Sequence, residues 1–144
     1  MKKQIGLWIL LLLMIFLLSG CSGQPKMKDG FYTAETAEFE HGWKEYLCIM
    51  VKNHTIVYAE FNAKDTSGFI KAWDNAYMEQ MSVANGTYPN EYTRNYAAQL
   101  LHSQNPDEVD TISGATNSGN NFLKLSKAVI EQAQKGDSST IVVE

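Results

Sequence analysis

Residues 110–119 read DTISGATNSG, with four hydroxyl side chains (Thr111, Ser113, Thr116 and Ser118) set around the small pair Gly114 and Ala115. One carboxylate, Asp110, stands beside them, and no histidine or cysteine does. A hydroxyl becomes a nucleophile only when a positioned base takes its proton. None is adjacent here, so the chemistry open to this stretch is that of an acceptor modified by another enzyme, or of a phosphate ligand. SGATNSG does not match the GxSxG elbow of serine hydrolases, and nothing assigns a histidine and an acid to a triad. No GxxxxGK[ST] sequence occurs, which excludes a P-loop.

The stretch runs directly into an apolar-periodic segment, NNFLKLSKAVIEQAQKG, in which Phe122, Leu125, Val129 and Ala133 share one helical face and Gly136 supplies the C-cap. The hydroxyls therefore sit at a helix N-terminus, where unpaired N–H groups and the positive end of the dipole favour phosphate. A plainer role exists beside this one. Thr116 or Ser118 caps the helix and Gly114 makes a turn. Capping accounts for one hydroxyl of the four and gives no reason for Gly114 and Ala115 beside it.

The elements that must position this loop come earlier. FYTAETA (31–37), KEYLCIMV (44–51) and TIVYAEFN (55–62) alternate or are rich in β-branched and aromatic residues, and Lys52, Asn53 and His54 join the last two as a hairpin. Three consecutive strands imply an antiparallel meander. The period then changes: Phe69, Trp73, Tyr77 and Met81 recur at every fourth position, which predicts one helical face. Pro89 opens a second helix carrying Tyr92, Tyr96 and Leu100 and running to His102. These aromatics read as helix faces packed on a sheet. Val109–Ile112 predicts a short strand, and TIVVE at 140–144 a tail or an edge strand. Strands in one run and helices in the next give an α+β domain, a meander packed against about three helices.

Of the 144 residues, the first twenty form a signal segment: Lys2 and Lys3, then IGLWILLLLMIFLL, then LSGC ending at Cys21. LSGC resembles a bacterial lipobox, which makes Cys21 a lipidated N-terminus with palmitate-class chains and makes 21–30 a tether. An uncleaved anchor helix is the alternative. Both readings place the domain, 31–136, outside the cytoplasmic membrane and tied to the lipid bilayer, with 137–144 as its tail. Loss of Lys2 and Lys3 leaves ten basic against sixteen acidic residues, so the charge is about −6. An acidic chain is not a nucleic-acid binder, nor is it held at an anionic membrane by charge. With Cys21 lipidated, Cys48 has no disulfide partner and reads as a small buried hydrophobe. The three histidines show no metal-ligand spacing.

DTISGAT, Asp110 to Thr116, resembles the flavinylation motif of the FMN-binding domain family: Asp, two free positions, Ser or Thr, Gly, Ala, Thr. That family includes the FMN-bearing domains of sodium-pumping NADH:quinone reductase and of the Rnf complex, and many small bacterial lipoproteins. DGFYTAE, HGWKEYLCIMVKN and AEFNAKDTSGF are similar to the lipoprotein branch, so the likeness spans most of 29–135. The resemblance implies that an FMN transferase takes FMN from FAD and joins it to Thr116 through a phosphoester. It implies that Asp110, Ser113, Gly114 and Ala115 shape the loop. Ser118 is the runner-up attachment site, or else a cap or phosphate ligand. Ser67 and Gly68 are flavin-contact candidates, although serine stands where relatives carry proline, and Tyr77, Trp73 and Trp43 are the aromatics available for stacking. The function implied is electron transfer between a quinone-linked membrane donor and an extracytoplasmic acceptor. A non-redox lipoprotein holding FMN or another phosphate-bearing ligand without a covalent bond is the alternative.

Overall fold

A computed structural model describes residues 25–144; the signal segment and the lipidation expected at Cys21 lie outside the described residues. Strands β1 (Gly30–Thr36), β2 (Lys44–Lys52) and β3 (Thr55–Lys64) form the expected antiparallel meander. The β2–β3 turn is two residues long, with Asn53 and His54 at φ 52° and 65°. Two positive φ values in sequence define the type I′ turn that matches the twist of a hairpin. The C-terminal segment is an edge strand, β4 (Ile141–Val143), parallel to β1 in a sheet ordered β3-β2-β1-β4.

Helices α1 (Asn75–Asn85), α2 (Pro89–Ser103) and α3 (Thr116–Lys135) complete the domain. The alternation along β2 buries Glu45, Leu47, Ile49 and Val51 toward α2 and α3. Tyr92, Tyr96 and Leu100 of α2 meet Phe122, Leu125 and Val129 of α3 over that face. Phe122 stacks on Tyr96 with ring centroids 5.3 Å apart and meets Phe61 of β3 edge-on at 5.0 Å. Such aromatic pairs add about 0.5–1.5 kcal/mol each beyond the area they bury.

Three expectations change. Phe69, Trp73, Tyr77 and Met81 do not share one helical face: a 3-10 turn (Lys71–Trp73) comes first, and Asp74 starts α1 anew by accepting from the Tyr77 N–H at 3.0 Å. Aspartate is a strong N-cap, and its extended backbone (φ −81°, ψ 93°) breaks the face in the middle. Phe69 and Trp73 are exposed as a result, and α1 buries no residue. Val109–Ile112 is not a strand. It follows a 3-10 turn (Pro106–Glu108), and side chains of α2 take the place of a partner strand. Helix α3 starts at Thr116, four residues ahead of its apolar pattern, because Thr116 to Gly119 are helical without contributing to the hydrophobic stripe.

Candidate functional site

The loop ahead of α3 is fixed from α2. The Tyr96 hydroxyl accepts from the Ile112 N–H at 2.9 Å and donates to the Ala115 carbonyl at 3.2 Å. Gln99 clamps Asp110, taking its N–H at 2.7 Å and donating to its carbonyl at 3.3 Å. Gly114 has φ +84°, and a Cβ there would run into the Asn85 carbonyl at the end of α1. Gly119 leaves room for the Tyr96 hydroxyl, which an added Cβ would meet at 2.5 Å.

Neither Thr116 nor Ser118 caps α3. The N-cap position belongs to Ala115, whose side chain has no acceptor, so the first N–H groups are left uncapped. Thr116 is exposed as the first helical residue. Ser118 is buried, and its hydroxyl donates to the Glu45 carboxylate of β2 at 2.6 Å. Asn121 donates to the other Glu45 oxygen at 2.9 Å. The two hydroxyls that the sequence offers as acceptors are thus separated by environment: one is engaged and the other is free.

Between the loop, α1 and β2 lies a cleft of about 780 Å³, lined among others by Gly114, Ala115, Thr116, Ser118, Trp43 and Tyr77. That volume falls in the range of roughly 300–1,000 Å³ common for small-molecule and cofactor sites. Trp43 and Tyr77 meet edge-on at 6.0 Å. Trp73 is 67 % exposed and lies outside the lining, as do Ser113 and the Asp110 side chain. Ser67 and Gly68 are also outside it, in a turn whose polar groups are used internally. Asp65 accepts there from the Ser67 N–H at 2.8 Å and hydroxyl at 2.7 Å, and from the Phe69 N–H at 2.9 Å. The Ser67 hydroxyl, aided by these N–H groups, holds the Asp65 carboxyl below its ordinary range.

Glu45, Asn121 and Lys71 are site residues that sequence reasoning missed. Glu45 carried a signal, since it is a charge at an inward position of an otherwise apolar alternation. Lys71 carried none. It is buried against the cleft, its ammonium 4.9 Å from the Tyr77 ring centroid and 5.9 Å from that of Trp43. Burial pulls the Lys71 pKa down, but Tyr92, Tyr77 and Glu45 outweigh it and leave the value above that of an ordinary lysine. Burial likewise pushes the Tyr92 phenol up, against the pull of Lys71.

An uncapped helix start with a free threonine hydroxyl, opening on a cleft walled by two aromatic rings and a buried ammonium, defines an α+β ligand-binding domain. The FMN-binding domain profile matches residues 42–131, and the chain belongs to that family. It is 31 % identical over 127 residues to a 15 kDa lipoprotein of Treponema pallidum (strain Nichols), covering 88 % of this chain and 89 % of that protein. A crystal structure of a protein from Clostridium perfringens is 36 % identical, with TM-score 0.78 over 81 % of this chain and 97 % of the other. A solution structure from Clostridium thermocellum is 29 % identical, with TM-score 0.50 over 74 % and 92 %.

Proposed function

We propose that this chain is a lipid-anchored flavoprotein electron carrier on the extracytoplasmic face of the cell membrane, with FMN esterified to Thr116. The observation that carries the reading is the contrast between two hydroxyls two positions apart. Ser118 is buried and bound to Glu45, while Thr116 is exposed at an uncapped helix start. The chain's residues fit the group. The α3 N-terminus suits a phosphodiester's negative charge, the cleft has the volume of a cofactor site, and Trp43 and Tyr77 offer faces to a planar ring. In the attachment step the Thr116 oxygen bonds to the FMN-side phosphorus of FAD, the pyrophosphate bond breaks, and AMP leaves. The hydroxyl proton passes to a base of the FMN transferase, since none stands beside Thr116.

Bound FMN would supply reversible electron uptake, and the chain contributes binding and electrostatics. Electrons would come from a quinone-linked membrane donor. Attachment through a covalent bond suits a site outside the cell, where a dissociated flavin is lost by diffusion. The lipoprotein relative supports lipid anchoring through Cys21. Among the described residues no helix is long and apolar enough to cross a membrane.

The test is the intact mass of wild type and Thr116→Ala, each produced with an FMN transferase that modifies a control substrate. Wild type gains one FMN ester and the variant gains none. Wild type without added mass would sink the covalent reading. A variant that keeps flavin through extensive dialysis would point to reversible binding by the same cleft.

A further inference from the structure

Lys71 is nine-tenths buried, and among the described residues its ammonium forms no ion pair; the Tyr77 hydroxyl and the more distant Glu45 charge are what support it. The carboxylate that could have served it, Glu45, is occupied by Ser118 and Asn121. What surrounds the ammonium is the pair of ring faces of Tyr77 and Trp43, and both rings line the cleft with it. An ammonium has three donors, and ring faces compensate a desolvated charge only in part. One phenol oxygen leaves other donors of the ammonium without an acceptor among the described residues, and the cleft is where one can enter. The missing partner is an electron-rich acceptor entering the cleft between the two rings.

Under the reading proposed above Thr116 holds the phosphate end of the flavin, which leaves the rest of the cleft, with its aromatic walls, to the ring. We propose that Lys71 is the ring-binding cation of this cleft, donating to the carbonyl and nitrogen acceptors along the polar edge of the flavin ring and favouring the reduced ring over the oxidised one. The inference rests on the flavin reading. Its electrostatic basis is direct. A reducing titrant such as dithionite supplies two electrons and solvent supplies one proton, which leaves the ring with one net negative charge. A fixed cation in a site partly screened from water stabilises that charge more strongly than an exposed one would. Lys71 remains an ammonium at neutral pH.

The experiment compares full-length wild type, Lys71→Met and Lys71→Arg, each made with and without the FMN transferase and purified in detergent. Intact mass gives the loading, thermal melting the stability, and dithionite titration the midpoint potential. Without flavin, thermal melting shows that each variant folds, and Lys71→Met should melt no higher than wild type, because the groups around the ammonium already favour it; Lys71→Arg carries the comparison if Lys71→Met does not fold. With one FMN on each, Lys71→Met should lose at least tenfold in the preference for the reduced ring, a drop of about 30 mV for a two-electron couple. Lys71→Arg keeps the charge and should stay close to wild type. Equal potentials in equally loaded wild type and Lys71→Met overturn the role of Lys71 and leave the flavin reading intact. A folded Lys71→Met without FMN, beside a loaded wild type, assigns the ammonium to the phosphate or to loading and also overturns the proposal. Wild type without FMN removes the flavin reading itself, and the mass separates this case from the others.

Discussion

The Ser118 hydroxyl of α3 donates to the Glu45 carboxylate of β2 across 2.6 Å, joining residues 73 positions apart inside the domain. Hydrogen bonds to charged acceptors contribute about 1.5–3 kcal/mol, and a buried carboxylate deprived of a donor suffers at the upper end. Ser118→Ala should therefore destabilise the domain by roughly 2 kcal/mol, read as a lower urea midpoint at unchanged slope. Its flavin loading should match wild type, because Thr116 is untouched. A Ser118→Ala protein that is stable but unloaded would move the attachment site to Ser118.

Gly114 and Gly68 have nearly the same backbone, φ +84° and +88°, but different surroundings. A Cβ at 114 would strike the Asn85 carbonyl, whereas at 68 nothing lies within 4 Å. Gly68→Ala should cost only the left-handed conformation, about 1–2 kcal/mol. Gly114→Ala should add a steric cost of about 1–3 kcal/mol and push the loop from α1, with much reduced FMN loading. Thermal melts of the pair, with loading by mass, separate backbone strain from packing.

Tyr96→Phe keeps the ring on Phe122 and deletes one hydroxyl that serves both Ile112 and Ala115. The expected loss is about 1–3 kcal/mol, mostly from the stranded backbone groups. Hydrogen exchange should show faster exchange at the Ile112 amide, while amides in β2 keep their protection relative to the lower global stability.

The meander, the hairpin turn, the helix count and the Gly136 cap were legible because each follows from a local rule of period or turn chemistry. Phe69 and Trp73 misled because a spacing of four is also met by chance, and the break lay in one residue: Asp74 reads as a polar position in a face but acts as a cap. At the site, the motif residues Gly114, Ala115 and Thr116 were found in sequence, and they lie together at the cleft. Glu45 and Lys71 were not, since one is 73 residues from Ser118 and the other gains its meaning from rings at positions 43 and 77. Pairings of that kind arise only when the sheet and α3 close on each other.

Glu35 on the outer face of the sheet binds Lys44 of β2 at 2.7 Å and Lys64 of β3 at 3.1 Å. The Lys44 hydrogen bond, against the opposing effect of burial and with further help from Lys64, holds the Glu35 carboxyl below the ordinary glutamate value of 4.5. Between the folded and unfolded pKa values the unfolded chain binds more protons, so stability rises with pH across that window. The contribution is complete above about 4.5 and is lost as pH falls through the lower, folded value. Glu35→Gln should thus destabilise the domain by about 0.5–1 kcal/mol at pH 7, the upper range for a partly exposed pair strengthened by a third charge. The difference from wild type should shrink in 1 M salt, where the Debye length is about 3 Å, and vanish at pH values below the folded pKa. Urea unfolding of both proteins across an acid-to-neutral series measures it. A gap that persisted unchanged into acid would mean that Glu35 acts through packing of its methylenes and not through its charge.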